Sequence, residues 1–333
     1  MRAIIGFLAL GAVLLAALNW IALLPGGNLR EIEMRQQLDA LDGRDAAAIG
    51  GSGARALDFS AMCIDGSSYL WAHEYLETSA VARVALGRPN APRDWFVVTG
   101  PTTQSFDNGS PAGPWVGQRL STYRTLYRLG YRGLIGGDWR SALLAIGVPS
   151  LGDEVWQPHL SLLVRAVGLT PSRPRGMPPG GGPASPASDA AKLQAEADKW
   201  IVARAALLRR VAYYDPHVRE RGWRSLLGLN RAVAARGGRM YVIVPPTARA
   251  GLRVAARLMP DEVRDFRRLL ARVESEGAVV SWHWDDPAFV DDPAMFSDVQ
   301  HLTPAGAAIF SRRLGEELRD RGVLDVSCPR SPA

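Results

Sequence analysis

Cysteine is nearly absent from this chain. Cys63 and Cys328 are the two in 333 residues, too few for a disulfide framework and without the spacing of a zinc site. They leave two alternatives: one bridge joining the start and end of a domain in an oxidising compartment, or two buried free thiols. Histidine is sparse as well. His73, His159, His217, His283 and His301 show no H-x-x-x-H pairing, so no metal is expected. Lysine is confined to Lys192 and Lys199 among 39 basic residues. The net charge is +6 and the pI about 9.7, yet the arginines alternate with acids, as in "RDFRRLLARVESEG". A mixed, solvated surface follows, and nucleic acid is not an expected partner. No Gly-Lys-Ser/Thr occurs, which excludes a Walker phosphate loop.

Long apolar runs are absent with one exception. Ala3 to Leu24 reads "AIIGFLALGAVLLAALNWIALL" with no charge, enough to span a bilayer. It ends in "PGGNLR" rather than a small-residue cleavage site, so residues 1–30 read as an uncleaved membrane anchor rather than a removed signal peptide. Arg2 and the amino terminus favour the cytoplasmic side, a bias weakened by Arg30 and Arg35. The expected topology is a single pass through a bacterial inner membrane, with residues 31–333 in the periplasm or outside the cell.

Beyond the anchor, strand-like and helix-like stretches alternate. "DAAAIGG", "DWFVVTG", "RMYVIVPP" and "AVVSWHW" read as strands. "SYLWAHEYLETSAVARVAL", "VGQRLSTYRTLYRLG", "WRSLLGLNRAVAARGG" and "DEVRDFRRLLARVESEG" read as helices. A last helix starts at Thr303 as N-cap with Pro304 in its first turn. This alternation predicts an α/β three-layer sandwich with a mostly parallel sheet. Residues 169–192, rich in Pro, Gly, Ser and Ala, read as a disordered insertion. The apolar face of the helix that follows, "LQAEADKWIVARAALLRRVAYY", packs either on the domain, the default for such a face, or on a partner.

Ligands of parallel α/β sheets bind beyond the carboxyl ends of the strands. The first such turn is "IGGSGARALDFS", with Ser52 between Gly51 and Gly53. Ser52 is either an exposed nucleophile, its backbone amide aimed at an oxyanion, or a plain helix cap. Gly51, Gly53 and Ala56 also satisfy a G-x-G-x-x-A dinucleotide fingerprint, but the acid required about twenty residues on falls in a stretch read as helix. No cofactor is expected. Near the other end of the chain, "FSDVQHLTPAGAAIF" sets Asp298 three residues before His301. On a tight turn that carboxylate can hold one imidazole nitrogen and leave the other as a base. The acidic pairs Asp285–Asp286 and Asp291–Asp292 read as solvated turns rather than a cation site.

A Ser after the first strand and D-x-x-H before the last helix resemble the SGNH or GDSL-type hydrolase superfamily, a flavodoxin-like α/β fold. With the anchor, the layout is similar to membrane-anchored, extracytoplasmic O-acylation proteins of the DltD type and of alginate acetylation. The resemblance covers residues 45–322 in layout and rests on "GGSG" and "SDVQHLTPAG". It implies Ser52 as nucleophile, His301 as general base and Asp298 as the group orienting the imidazole. Gly66 in "CIDGSSY" matches the family's second-block glycine and is either a further oxyanion donor beside the Ser52 amide or a plain turn glycine. Where many members carry G-x-N, this chain has "TGPTTQS", so that either Thr102, Thr103 or Gln104 substitutes for the asparagine or the activity is weak or lost. The implied activity is acyl transfer to, or ester hydrolysis on, a cell-envelope or secreted polysaccharide, with a polytopic membrane O-acyltransferase as partner. The alternative is a noncatalytic assembly subunit of an envelope polysaccharide complex.

Overall fold

Five short strands of small and β-branched residues form one all-parallel sheet: β1 (Ala46–Gly50), β2 (Gly66–Leu70), β3 (Asp94–Val98), β4 (Met240–Val244) and β5 (Val279–Trp282), in the order β2-β1-β3-β4-β5. The computed structural model describes residues 2–23, 29–70, 75–101, 116–135, 139–147, 189–210 and 216–325. Its helices are α1 (Arg2–Leu23), α2 (Leu29–Leu41), α3 (Tyr75–Leu86), α4 (Val116–Arg128), α5 (Trp139–Gly147), α6 (Ala190–Arg210), α7 (Pro216–Ala234), α8 (Arg249–Leu258), α9 (Pro260–Ser275) and α10 (Pro304–Asp320).

The chain divides into two compact units, Met1–Gln36 with Asn108–Gly180, and Gln37–Asp107 with Gly181–Ala333. In the first, α4 and α5 pack together. The Tyr123 hydroxyl accepts from the Ile135 N–H at 2.7 Å, and Arg124 donates to the Ala145 carbonyl at 3.2 Å. Helix α1 runs unbroken for 22 residues. Several of its side chains lie outside the described residues, and over those that are described no helix is long and apolar enough to cross a membrane.

The second unit holds the sheet. Side chains alternate along each strand, so Ala46, Ala48, Phe96, Val98, Tyr241 and Ile243 face one layer, a core shared with Ala197 of α6, Val254 of α8, and Phe310 and Leu314 of α10. An aromatic stack runs through it: Phe96 lies parallel on Tyr241 at 4.4 Å, and Phe59 meets Phe96 edge-on at 5.4 Å. The intervening residues Ala47, Ile49, Val97, Val242 and Val244 are buried on the opposite face, where α3 and α7 pack on each other and on β1 and β4. Alanines on β1 keep both layers close to the sheet's central strands. Leu193 and Ala197 of α6 are buried in this core, with Ile201 packed against it; the side chains of residues 202–210, the rest of the face expected to pack there, lie outside the described residues.

Two boundaries differ from the sequence reading. The stretch from Ser68 expected as one helix divides into β2, ending at Leu70, and α3, starting at Tyr75. Its apolar spacing fits either period, and pairing with β1 from Ala46↔Gly66 to Gly50↔Leu70 decides for strand. At the insertion, Ala190–Lys192 already form the first turn of α6, because the Asp189 carboxylate accepts from the Lys192 N–H at 2.7 Å. The remainder, 169–188, lies outside the described residues. Cys63 is disulfide-bonded, which removes the reading of two free thiols, and Cys328 lies outside the described residues.

Candidate active site

The strand register aligns Gly50, Val98, Val244 and Trp282 at one end of the sheet. The chain leaves β1 toward β2 on one side and returns as β3 on the other, so the carboxyl end of β1 borders the crevice where strand order reverses. Ser52 lies there. Gly50 must be glycine at this point, since a Cβ would sit 2.5 Å from the Val98 carbonyl oxygen. Gly51 caps a 3-10 helix from Ser52 to Ala56, and Ser52 is exposed. The Ser52 N–H occupies the first position of that helix, which lacks an intrahelical acceptor.

The second component is the loop into α10. Thr303 caps that helix, its hydroxyl accepting from the Gly306 N–H at 3.0 Å, and the Thr303 N–H donates to the Met295 carbonyl at 2.8 Å. Phe296 and Leu302 bridge across the loop neck. The loop docks on the carboxyl end of β4, where the Val299 carbonyl accepts from Thr247 Oγ1 at 2.8 Å and from the Ala248 N–H at 3.2 Å.

Within the loop, Asp298 Oδ1 accepts two backbone N–H groups, from Gln300 and His301, each at 2.8 Å. This Asx turn fixes the carboxylate plane. Asp298 Oδ2 then faces His301 Nδ1 at 2.6 Å, and His301 Nε2 faces Ser52 Oγ at 2.7 Å. Burial pushes the Asp298 carboxyl up, but the His301 hydrogen bond and charge, with the two backbone N–H groups, outweigh it and hold the pKa below its ordinary value. A carboxylate on Nδ1 assigns the proton to that nitrogen and leaves Nε2 to accept from the serine hydroxyl. Ser52, His301 and Asp298 thus form a continuous hydrogen-bonded relay. Asp298 and His301 each keep about a third of their side chains exposed, which leaves the relay open to a solute.

The other residues singled out in the sequence lie elsewhere. Gly66 opens β2 at the amino end of the sheet, paired with Ala46, about 13 Å along the strand direction from the level of Gly50. A Phe59 ring fills its open face, with ring atoms 2.6 Å from where a Cβ would sit. Gly66 is therefore corrected from oxyanion donor to a packing glycine; parallel register sets the start of β2 beside the start of β1, away from Ser52. Thr102, Thr103 and Gln104 lie outside the described residues. Asp285 accepts from Trp282 Nε1 and pairs with Arg267 at 2.6 Å, Asp286 caps the turn Pro287–Val290, Asp291 pairs with Arg249, and Asp292 caps Pro293–Met295. Among the described residues no cluster could hold a metal ion.

Two groups escaped the sequence reading. Glu196 on α6 lies beside the Asp298–His301 loop. A second polar cluster joins β5 to α10: Ser281 Oγ lies 2.9 Å from His283 Nε2 and donates to Glu317 at 2.8 Å, while His283 also faces Glu317 Oε2 at 2.9 Å and Asp286 Oδ2 at 3.2 Å. Ser281 and His283 at i and i+2 share one strand face, a signal available in "VVSWH", but Glu317 is brought there by packing alone.

The close approach of α10 to its preceding loop supplies a test of the scaffold. A Cβ on Gly306 would lie 2.3 Å from the Met295 carbonyl oxygen, so Gly306→Ala forces α10 and the His301 loop apart. The variant is expected to lose roughly 1–3 kcal/mol of stability, read as a lower urea midpoint in chemical denaturation.

Comparison of the chain with family models, with curated proteins and with solved structures gives no significant match.

Proposed function

We propose that the protein is a serine-dependent acyl-ester enzyme, an SGNH-like hydrolase or acyltransferase held at a membrane by residues 3–24, with its α/β unit outside the cytoplasm. The observation that carries the reading is the relay from Asp298 through His301 to Ser52, at 2.6 and 2.7 Å, located where strand order reverses. In this mechanism Ser52 Oγ attacks the ester carbonyl carbon and passes its proton to His301 Nε2. The Ser52 N–H supports the oxyanion. Collapse releases the alcohol, which takes the proton from His301, and leaves an acyl-Ser52 ester. Water or a sugar hydroxyl then attacks, gives its proton to His301, and restores the serine.

The resemblance to extracytoplasmic O-acylation proteins sets the preferred acceptor, a cell-envelope or secreted polysaccharide, and the preferred partner, a polytopic membrane O-acyltransferase that supplies the acyl group. The apolar run Ala3–Leu24 supports both, since a tether keeps the site beside an integral donor.

A fluorophosphonate probe tests the chemistry without knowledge of the acyl group. The full chain in detergent is expected to be labelled at one residue, Ser52, with labelling abolished in Ser52→Ala and suppressed in His301→Ala. Absence of labelling of the folded wild type would remove the enzyme reading in favour of a noncatalytic assembly subunit.

A further inference from the structure

The peptide between Val299 and Gln300 lies inside the turn that carries Asp298 and His301, and it is bonded at both ends. Its N–H, on Gln300, donates to Asp298 Oδ1 at 2.8 Å. Its carbonyl, on Val299, accepts from Thr247 Oγ1 at 2.8 Å and from the Ala248 N–H at 3.2 Å. A peptide unit is planar, so the direction of its C=O fixes the direction of its N–H. Whatever holds the Val299 oxygen therefore also aims the Gln300 N–H at the Asp298 carboxylate. Hydrogen bonds joined through one amide polarise each other in a buried setting, and Thr247, Ala248 and Val299 are each no more than 1% exposed.

Thr247 is held in place independently of the loop it bonds. Pro245 and Pro246 precede it and fix the backbone φ at two positions directly after β4. Its N–H donates to the Trp284 carbonyl at 3.2 Å, which ties it to the chain leaving β5. On the far side a Cβ at Gly251 would sit 2.6 Å from the Val299 oxygen and 3.0 Å from Thr247 Oγ1, so the first turn of α8 closes the space around this contact. We propose that Thr247 is a positioning residue for the relay; this rests on the serine-enzyme reading above. Through the Val299–Gln300 peptide its hydroxyl sets the Asp298 carboxylate, and through Asp298 it sets the His301 ring that meets Ser52. Ala248 gives its backbone N–H whatever its side chain, so Thr247 is the side chain on which the hold depends.

Thr247→Val keeps the shape of the side chain and removes the hydroxyl. In the full chain in detergent, its kcat for p-nitrophenyl acetate is expected to fall about tenfold to a hundredfold with KM within about twofold of wild type, and Thr247→Ser to restore kcat to within about threefold. The rate of fluorophosphonate labelling of Ser52 should follow kcat across the three proteins. In an Asp298→Asn background, Thr247→Val should cost less than about threefold, because the group through which it acts is already altered. Melting curves confine each rate to folded protein. Gly251→Ala, which pushes on the same carbonyl with Thr247 in place, is expected to lower kcat at constant KM and serves where Thr247→Val does not fold. Wild-type kcat in either variant, once folded, would overturn the proposal. So would a folded Thr247→Ser as slow as Thr247→Val, or an undiminished loss in the Asp298→Asn background. Unfolding of both Thr247→Val and Gly251→Ala at the assay temperature would overturn it too, since the contact would then serve the fold. A wild type that is folded yet unlabelled at Ser52 would instead sink the enzyme reading on which the proposal rests.

Discussion

Ser52→Ala is expected to reduce acyl-ester turnover by roughly three to six orders of magnitude, and His301→Ala by a similar factor, with the double variant losing little more than either. Non-additivity is the diagnostic feature. The two side chains meet at 2.7 Å across 249 residues of sequence and act on one proton, so removing either removes the whole step. Asp298→Asn should be milder than Ser52→Ala but still severe: the amide nitrogen would face His301 Nδ1 and favour the tautomer with the proton on Nε2, the wrong nitrogen to accept from serine. Ser52 is exposed, so the melting temperature of Ser52→Ala should stay close to wild type. Steady-state hydrolysis of an activated ester, with a melting curve for each variant, provides the check. Full activity in Ser52→Ala, or losses that simply multiply in the double variant, would eliminate the relay as a chemical unit.

Glu317→Gln is expected to cost roughly 2–4 kcal/mol of folding stability, less than for a fully buried pair because Glu317 keeps 32% of its side chain exposed. The loss falls on the joint between β5 and α10. His283 is 9% exposed and lies between Glu317 and Asp286; burial alone would lower its pKa, but hydrogen bonds and charge from the two carboxylates outweigh that and raise it above 6.5. Glu317 shows the converse: burial pushes it up, but hydrogen bonds from His283 and Ser281, together with the imidazole charge and Arg321, bring it from 4.5 down to about 2.

The two shifts act on opposite sides of the pH scale. A raised folded-state pKa at His283 contributes stability that is complete below 6.5 and is lost as pH rises through the folded value. A depressed one at Glu317 contributes stability that is complete above 4.5 and is lost as pH falls toward 2. Both are present together between 4.5 and 6.5, where this joint should be firmest. Urea denaturation of wild type and Glu317→Gln across acid and neutral pH should show the difference between them largest in that window and shrinking on either side. A difference independent of pH would mean that the cluster contributes through packing alone.

Most of this protein's local architecture was already determined by the sequence. Short β-branched and aromatic runs bounded by glycine or proline define β3, β4 and β5, because their signals depend on neighbours within a few residues. The same holds for the start of α10, where Thr303, Pro304 and Gly306 form a cap from adjacent groups. The Asp298–His301 contact also belongs to this class, since three residues on one turn suffice to close it.

What the tertiary structure alone decided is whatever depends on partners far along the chain. β2 is a strand because β1 offers it an edge, although its apolar spacing also suits a helix. Gly66 is the fourteenth residue after Ser52 yet begins its strand at the opposite end of the sheet, because parallel pairing makes every strand start on the same side. The meeting of Ser52 with His301 rested on a family resemblance at the level of sequence; strand order and the docking of Val299 on the β4 loop bring them together. Ser281 and His283 showed a shared strand face in the sequence, but nothing there marked Glu317 as the group that meets them. Their partners are supplied by helices packed on the sheet, and the free energy that selects those pairings comes from burying apolar faces such as Leu193 with Ala197 and Phe310 with Leu314, while the polar contacts form where that packing leaves them adjacent.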